Sequence, residues 1–290
     1  MIQSDETSED RRDALRYALA IGSGAALASS FASPAAAQAS ADTTLDRVRG
    51  GKVLRIAVLP GELPYFSKDL ATGAWSGMCI EMANDIAKLL GVKLEYIEST
   101  YGNSILDLQS NKIDLGFALN PTPQRALVVD FCGSVFNHPF GAMLKKGLNA
   151  TTWADIDKAD VKIAVDVGSA NEAVARRFAP NATIKSLKSR DEVMLEMSSG
   201  RVDCVVNALV LGLTAIAKNP NLGTYKILHS PAVAIPSSMA VRREADKRWR
   251  DFLSVWVEYN RGIGQMREWF VSGLALSGVK PEDVPVELNI

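Results

Sequence analysis

Short apolar runs alternate with amphipathic helical segments along most of this chain, and the alternation occurs twice. Val53–Leu59 (VLRIAVL) reads as a buried strand that Pro60-Gly61 ends. Ile80–Leu90 has helical apolar spacing, with Gly77 before it and Gly91 at the stop position. Strand Val92–Ile97, a short helix Ser104–Gln109 and strand Ile113–Leu119 complete a βαβαβ unit. The pattern restarts with strand Val161–Val165, turn Asp166–Ser169 and helix Asn171–Phe178. Strand Ala182–Leu187, helix Arg190–Ser198 and strand Val202–Val206 follow. Such alternation predicts mostly parallel sheets flanked by helices, here as two α/β lobes in tandem. Helical stretches Arg243–Tyr259 and Ile263–Phe270 close the chain, and Trp249, Trp256 and Trp269 within them read as packing residues. Ligands of such sheets bind at the carboxyl ends of the strands. The loops after Leu59, Ile97, Leu119, Val165 and Val206 are therefore expected to line a cleft.

One of these loops carries a charged group. In KIDLGFALNPTPQRALVVDF, Lys112 to Phe131, an apolar strand runs into a loop stiffened by Pro121 and Pro123. The loop presents Asn120, Thr122 and Arg125 together. A guanidinium fork matches a carboxylate in two-pronged fashion, so the loop suits the capture of a small acid. The alternative is a solvated surface arginine.

The first residues read as an export signal. A polar stretch holding Arg11-Arg12 precedes the weakly apolar Tyr17–Ala28, and Ala37-Gln38-Ala39 is a small-x-small cleavage pattern. The paired arginines resemble the twin-arginine type; an ordinary Sec signal with two chance arginines is the alternative. Cleavage is expected after Ala39, giving an exported, periplasmic chain without membrane insertion, because no stretch reaches the roughly 20 apolar residues of a spanning helix. Removing residues 1–39 takes three of the 32 basic and five of the 33 acidic residues, leaving one net positive charge. That balance argues against a nucleic-acid partner. Cys79, Cys132 and Cys204 fit no metal spacing, and all lie in apolar segments as buried thiols would; an exported protein would also allow a Cys79–Cys132 disulfide. Two histidines, His138 and His229, are too few and too far apart for a metal site. No cofactor is expected.

These segments together resemble the family 3 extracellular solute-binding proteins, the amino-acid type of periplasmic binding protein. VLRIAVLPGELPYF, GMCIEMANDIAKLLGVKLEYI, the Arg125 stretch, GSANEAVA and GRVDCVV match the family's motifs in order, from Lys52 to about Asn260. The resemblance implies an α/β, two-lobe periplasmic binding protein fold. Each lobe would be a mostly parallel sheet flanked by helices, with crossing segments near Phe140–Leu144 and Ala234–Ala240. It divides the chain into a leader (1–39), lobe 1 (40–140), lobe 2 (141–238) and a return to lobe 1 (239–290). It implies a monomeric receptor that delivers a small carboxylate-bearing ligand to an ABC permease. In the family's pattern Arg125 and Thr122 meet the ligand carboxylate, Asn120 adds a hydrogen bond and Tyr101 covers the ligand. Ser169 and Ala170, opening a helix, offer backbone N–H groups to an anion.

Two positions depart from the pattern. The aspartate that meets a ligand ammonium is replaced by Ala208, with Asn207 beside it, and the usual aromatic two positions before Pro64 is Glu62. The ligand then lacks a free α-ammonium, or Glu62 or Asn207 takes over. His138 stands near the first crossing as a ligand contact or a packed hinge residue. The rival readings are an enzyme resembling cyclohexadienyl dehydratases, with Glu62 or His138 as its proton donor, and a ligand-sensing partner of a membrane receptor.

Overall fold

The computed structural model describes residues 43–280; the expected leader and its cleavage point lie outside them. In chain order the elements are α1 (Thr44–Gly51), β1 (Val53–Val58), β2 (Ser67–Lys68), β3 (Trp75–Ser76), α2 (Met78–Leu90), β4 (Lys93–Glu98), α3 (Tyr101–Gln109), β5 (Gly116–Leu119), α4 (Pro123–Ala126) and β6 (Val129–Leu144). The second half contains α5 (Trp153–Ile156), β7 (Lys162–Asp166), α6 (Ala170–Phe178), β8 (Thr183–Leu187), α7 (Arg190–Ser198), β9 (Cys204–Ala208) and α8 (Leu209–Lys218). After these come β10 (Thr224–Ile227), β11 (Ala234–Arg242), α9 (Arg248–Gly262) and α10 (Gln265–Ala275).

β1 pairs in parallel with β4 over its whole length, from Val53↔Lys93 to Val58↔Glu98. A bridge from Ile56 to Leu115 ties this pair to the start of β5. β2 pairs only with β3, antiparallel, and the other strands run in the order β5-β11-β6-β9-β7-β8, with β10 added on β6. β6 belongs to both halves. Its residues 129–139 pair with β11, and from Phe140 onward it pairs with β9 and β10. The change of partner between Pro139 and Phe140 marks the passage from one lobe to the other, and Ala234, opposite Pro139, marks the return.

Burial explains the strand assignments. Leu54, Ile56, Ala57 and Val58 are fully buried, as are Ile163, Ala164 and Val165 of β7, because helices cover both faces of these parallel strands. Helix α2 begins at Gly77, whose φ of 114° only glycine holds comfortably and where a Cβ would lie 2.6 Å from Tyr65 O. Asp114 anchors the first lobe from its interior. It is fully buried and accepts from the Arg55 backbone N–H at 2.9 Å and from Arg55 Nη2 at 2.7 Å, and it also pairs with Arg47. The C-terminal tryptophans are packing residues: Trp256 stacks on Trp269 at 5.4 Å, and Trp249 donates from Nε1 to Asp114 O at 3.0 Å.

Several boundaries differ from the sequence expectation. Helix α3 starts at Tyr101, three residues early, because Thr100 accepts from the Asn103 N–H and caps it. β5 starts at Gly116, and the residues before it are tied to β1 by the Asp114 N–H donating to Arg55 O and the Ala57 N–H donating to Leu115 O. α9 starts at Arg248. The apolar run after Val206 continues as strand to Ala208 and then turns into α8, so no loop follows Val206. The three cysteines are buried and free, which excludes the Cys79–Cys132 disulfide. Among the described residues no helix is long and apolar enough to cross a membrane.

Candidate functional site

Four strand ends deliver the site. After β1 the chain turns through Pro60 to Glu62, and after β4 Ser99 and Thr100 lead into Tyr101 at the start of α3. β7 ends on Asp166, and after β8 Ser189 caps α7, which opens with Arg190. A cavity of about 310 Å³ lies among these ends, with Glu62 and Tyr101 from the first lobe and Asp166 and Arg190 from the second in its wall.

The four side chains form one buried cluster. Arg190 donates from Nε to Glu62 Oε1 at 3.2 Å, and the Tyr101 hydroxyl donates to Glu62 Oε2 at 3.0 Å. Arg190 Nη2 lies 2.9 Å from Asp166 Oδ1, an ion-pair distance without hydrogen-bond alignment, and Asn171 Nδ2 donates to the same oxygen at 3.0 Å. Asp166 Oδ2 and Arg190 Nη1 are buried without a hydrogen-bond partner. Burial pushes the Glu62 carboxyl up to about 7; the Arg190 charge opposes this and the Asp166 charge adds to it. Burial alone would lower the Arg190 pKa, but the Asp166 and Glu62 charges outweigh it and hold it above its usual value. Burial also raises the Tyr101 phenol well above its ordinary value.

Arg125 lies in the single turn α4, whose N–H is capped by Thr122 Oγ1 at 3.3 Å. Its guanidinium is buried and bridges the lobes. Nη1 donates to Asn120 O at 3.0 Å, and Nη2 donates to Gly168 O at 2.8 Å in the turn after β7. Burial lowers its pKa. An inner void of only about 10 Å³, enough for one water, is lined by Tyr101, Asn120, His138, Ser169, Ala170 and Ala208, and Arg125 is in the wall of neither space. Tyr101 lines both spaces. Ala118, which also lines the void, has a φ of 54°, a left-handed conformation that a non-glycine residue holds only under strain.

The other expected residues fall as follows. Asn120 donates from Nδ2 to Pro236 O at 2.8 Å and to His138 Nε2 at 3.0 Å. Nε2 is therefore an acceptor, so the His138 proton is on Nδ1, 3.4 Å from the Tyr65 hydroxyl. His138 is packed edge-on against Phe136 and Phe140 on the crossing strand, and burial drops its pKa to about 3, so it is neutral. Ser169 caps α6, but the Gly168 N–H at that turn already donates to Glu172 Oε2 at 2.7 Å, so part of the expected anion seat is filled internally. Asn207 lines neither space. Its amide is fully buried with neither polar atom partnered.

Asp166 and Arg190 went unrecognised in the sequence. The available signal was position alone: an acid at the carboxyl end of a buried strand, and a cation directly after a serine helix cap.

Residues 54–169 match the model of the bacterial extracellular solute-binding proteins, family 3. A "Probable histidine-binding protein" of Campylobacter jejuni subsp. jejuni is 26% identical over 174 residues, 59% of this chain and 66% of that protein. A "Cyclohexadienyl dehydratase" of Pseudomonas aeruginosa is 23% identical over 237 residues, 78% of this chain and 84% of that protein. Among solved structures, the ancestral amino acid-binding protein AncCDT-1, described as a precursor of cyclohexadienyl dehydratase, is 26% identical. It superimposes with a TM-score of 0.71 over 80% of this chain and 100% of its own. A cysteine-binding protein from Campylobacter jejuni, 22% identical, shares the two-lobe fold with a TM-score of 0.75 over 85% of this chain and 98% of its own. The motif order, the matched segment and the shared fold make this chain similar to the family 3 bacterial extracellular solute-binding proteins.

Proposed function

We propose that this chain is an exported, periplasmic receptor that takes up a small carboxylate-bearing metabolite, an amino acid or close relative, between its lobes and delivers it to an ABC permease. The observation that carries the reading is Arg125. It is a buried guanidinium at the meeting of the two lobes whose hydrogen bonds go to backbone carbonyls, so its charge has no carboxylate bonded to it. A ligand carboxylate supplies that anion, and ligand contacts to both lobes favour the closed arrangement. The amino-acid-binding relatives agree with this class of ligand. Isothermal titration against amino acids and organic acids tests it. Arg125→Ala should weaken the identified ligand by roughly 2–5 kcal/mol, the cost of removing one partner of a buried charge-assisted pair. Unchanged binding would remove Arg125 as the anchor.

One observation favours a second reading. The buried Glu62 carboxyl, held near neutrality beside a cavity, has the protonation behaviour of a general acid, and a cyclohexadienyl dehydratase is among the relatives. Incubation with prephenate or arogenate, followed for aromatic product, distinguishes enzyme from receptor.

A further inference from the structure

Where the two crossing strands leave the first lobe, one side chain fastens them together. β5 pairs with β11 at Leu119↔Ser238, and continuing that register by two residues brings Pro121 level with Pro236. Pro121 has no N–H with which to extend the ladder to Pro236 O. Asn120 reaches that carbonyl instead, donating from Nδ2 at 2.8 Å. The same amide group donates to His138 Nε2 at 3.0 Å, and His138 lies opposite Ile235 on the other crossing strand. One amide thus holds β6 and β11 together just before β6 changes partner. A primary amide has two N–H groups, and both are engaged here, so Asn120 has no donor left for a ligand.

The backbone of the same residue serves the lobe contact. Asn120 O accepts from Arg125 Nη1 at 3.0 Å, and Arg125 Nη2 donates across the lobes to Gly168 O at 2.8 Å. As the residue before Pro121, Asn120 has a restricted backbone, so its carbonyl and its side chain move together. We infer that Asn120 is a positioning residue that couples Arg125 to the hinge. Its carbonyl orients the guanidinium, while its side chain fixes the two crossing strands in the setting in which Arg125 spans the lobes. Arg125 and the hinge then stabilise one arrangement, and a change at either is felt at the other. The coupling concerns lobe movement and holds whatever anion Arg125 receives, so it goes beyond the receptor reading.

Pulsed electron-spin distance measurements on the ligand-free protein test the coupling. Spin labels go on Leu106→Cys of α3 and Leu195→Cys of α7, both exposed and on opposite lobes. The three native cysteines are buried and stay unlabelled. Asn120→Leu keeps the approximate shape of the side chain and removes both donors. It should raise the ratio of open to closed distances about five-fold, the change that a loss of about 1 kcal/mol produces. His138→Phe, which removes one acceptor, and Arg125→Gln should each move the ratio the same way. Asn120→Leu combined with either should open the protein less than the two single effects multiplied, because each pair acts through one link. A residue that only adds stability would lower the melting temperature and leave the distances alone. An unchanged ratio in Asn120→Leu therefore overturns the proposal, as do fully multiplicative double variants or a wild type without closed distances. Circular dichroism establishes that each variant is folded. If Asn120→Leu does not fold, the pair His138→Phe and Arg125→Gln carries the test, and multiplicative effects of that pair overturn the proposal.

Discussion

Replacing Glu62 with glutamine should remove a pH dependence from lobe closure. Glu62 belongs to the first lobe, but its burial is completed by Arg190 and Asp166 of the second, so opening the cleft returns it to water. Burial raises its carboxyl from 4.5 to about 7. A carboxyl whose pKa rises on closure binds protons more tightly in the closed form. Closure is therefore favoured at low pH and progressively loses that advantage as pH climbs from the open-state value to the closed-state value. At about 1.36 kcal/mol per unit, the span amounts to roughly 3 kcal/mol, more than a hundred-fold in the closed-to-open ratio. Of the groups packed on Glu62, Tyr101 and Arg190 keep their protons throughout this window, and His138 stays neutral, so Glu62 dominates the response. Small-angle scattering of the ligand-free protein between about pH 5 and pH 8 measures it. The radius of gyration should grow with pH in the wild type and stay flat in Glu62→Gln. A flat wild-type profile, or the same slope in the variant, would refute the reasoning.

Other expectations follow from single contacts. Asp114→Ala removes the acceptor for the Arg55 backbone and side chain and for Arg47; urea unfolding should show a loss of about 3 kcal/mol, and a loss below about 1 would mean the cluster is dispensable. Gly168 has a φ of 71°, and a Cβ there would stand 3.1 Å from Gly102 Cα on the opposite lobe, so Gly168→Ala should weaken ligand binding several-fold and lower the melting temperature by about 2–4 °C, as a strain of about 1 kcal/mol does. Thiol titration should find three reactive groups after unreduced denaturation and almost none before, since Cys79, Cys132 and Cys204 are buried and free.

The sequence exposed those parts of the fold that local chemistry dictates. VLRIAV and KIAVD are buried on both faces and could hardly be anything but strands, and Ser189 and Ser169 cap the helices that follow them. Helix α8, LVLGLTAIAK, was missed because it is apolar all round and continues an apolar strand without a breaker. Of the sixteen-residue β6 the sequence marks only a crossing segment near Phe140–Leu144, because a strand that serves two sheets changes its surroundings midway. Glu62 and Tyr101, both singled out by the sequence, line the cavity, and the structure sets Tyr101 against Glu62. Their cross-lobe partners were not singled out: Arg190 meets Glu62 across 128 residues of chain, and no local pattern encodes a pairing at that range. Asn207 shows the opposite limit, since period-two alternation in β9 gives adjacent residues opposite faces, and Ala208 has the one that meets the void.

The continuity of β6 has a mechanical consequence. Because one unbroken strand is hydrogen-bonded into both sheets, the lobes are coupled by a torsion element rather than by slack tethers. Rotation of one lobe must be absorbed as twist over the few residues around Pro139, with the Phe136–His138–Phe140 ring contacts acting as its bearing. Such a shaft stores and returns strain, so domain motion in this protein should be a narrow, reproducible stroke of defined axis, and lengthening the chain at Pro139 should broaden that stroke before it changes what the cleft can hold.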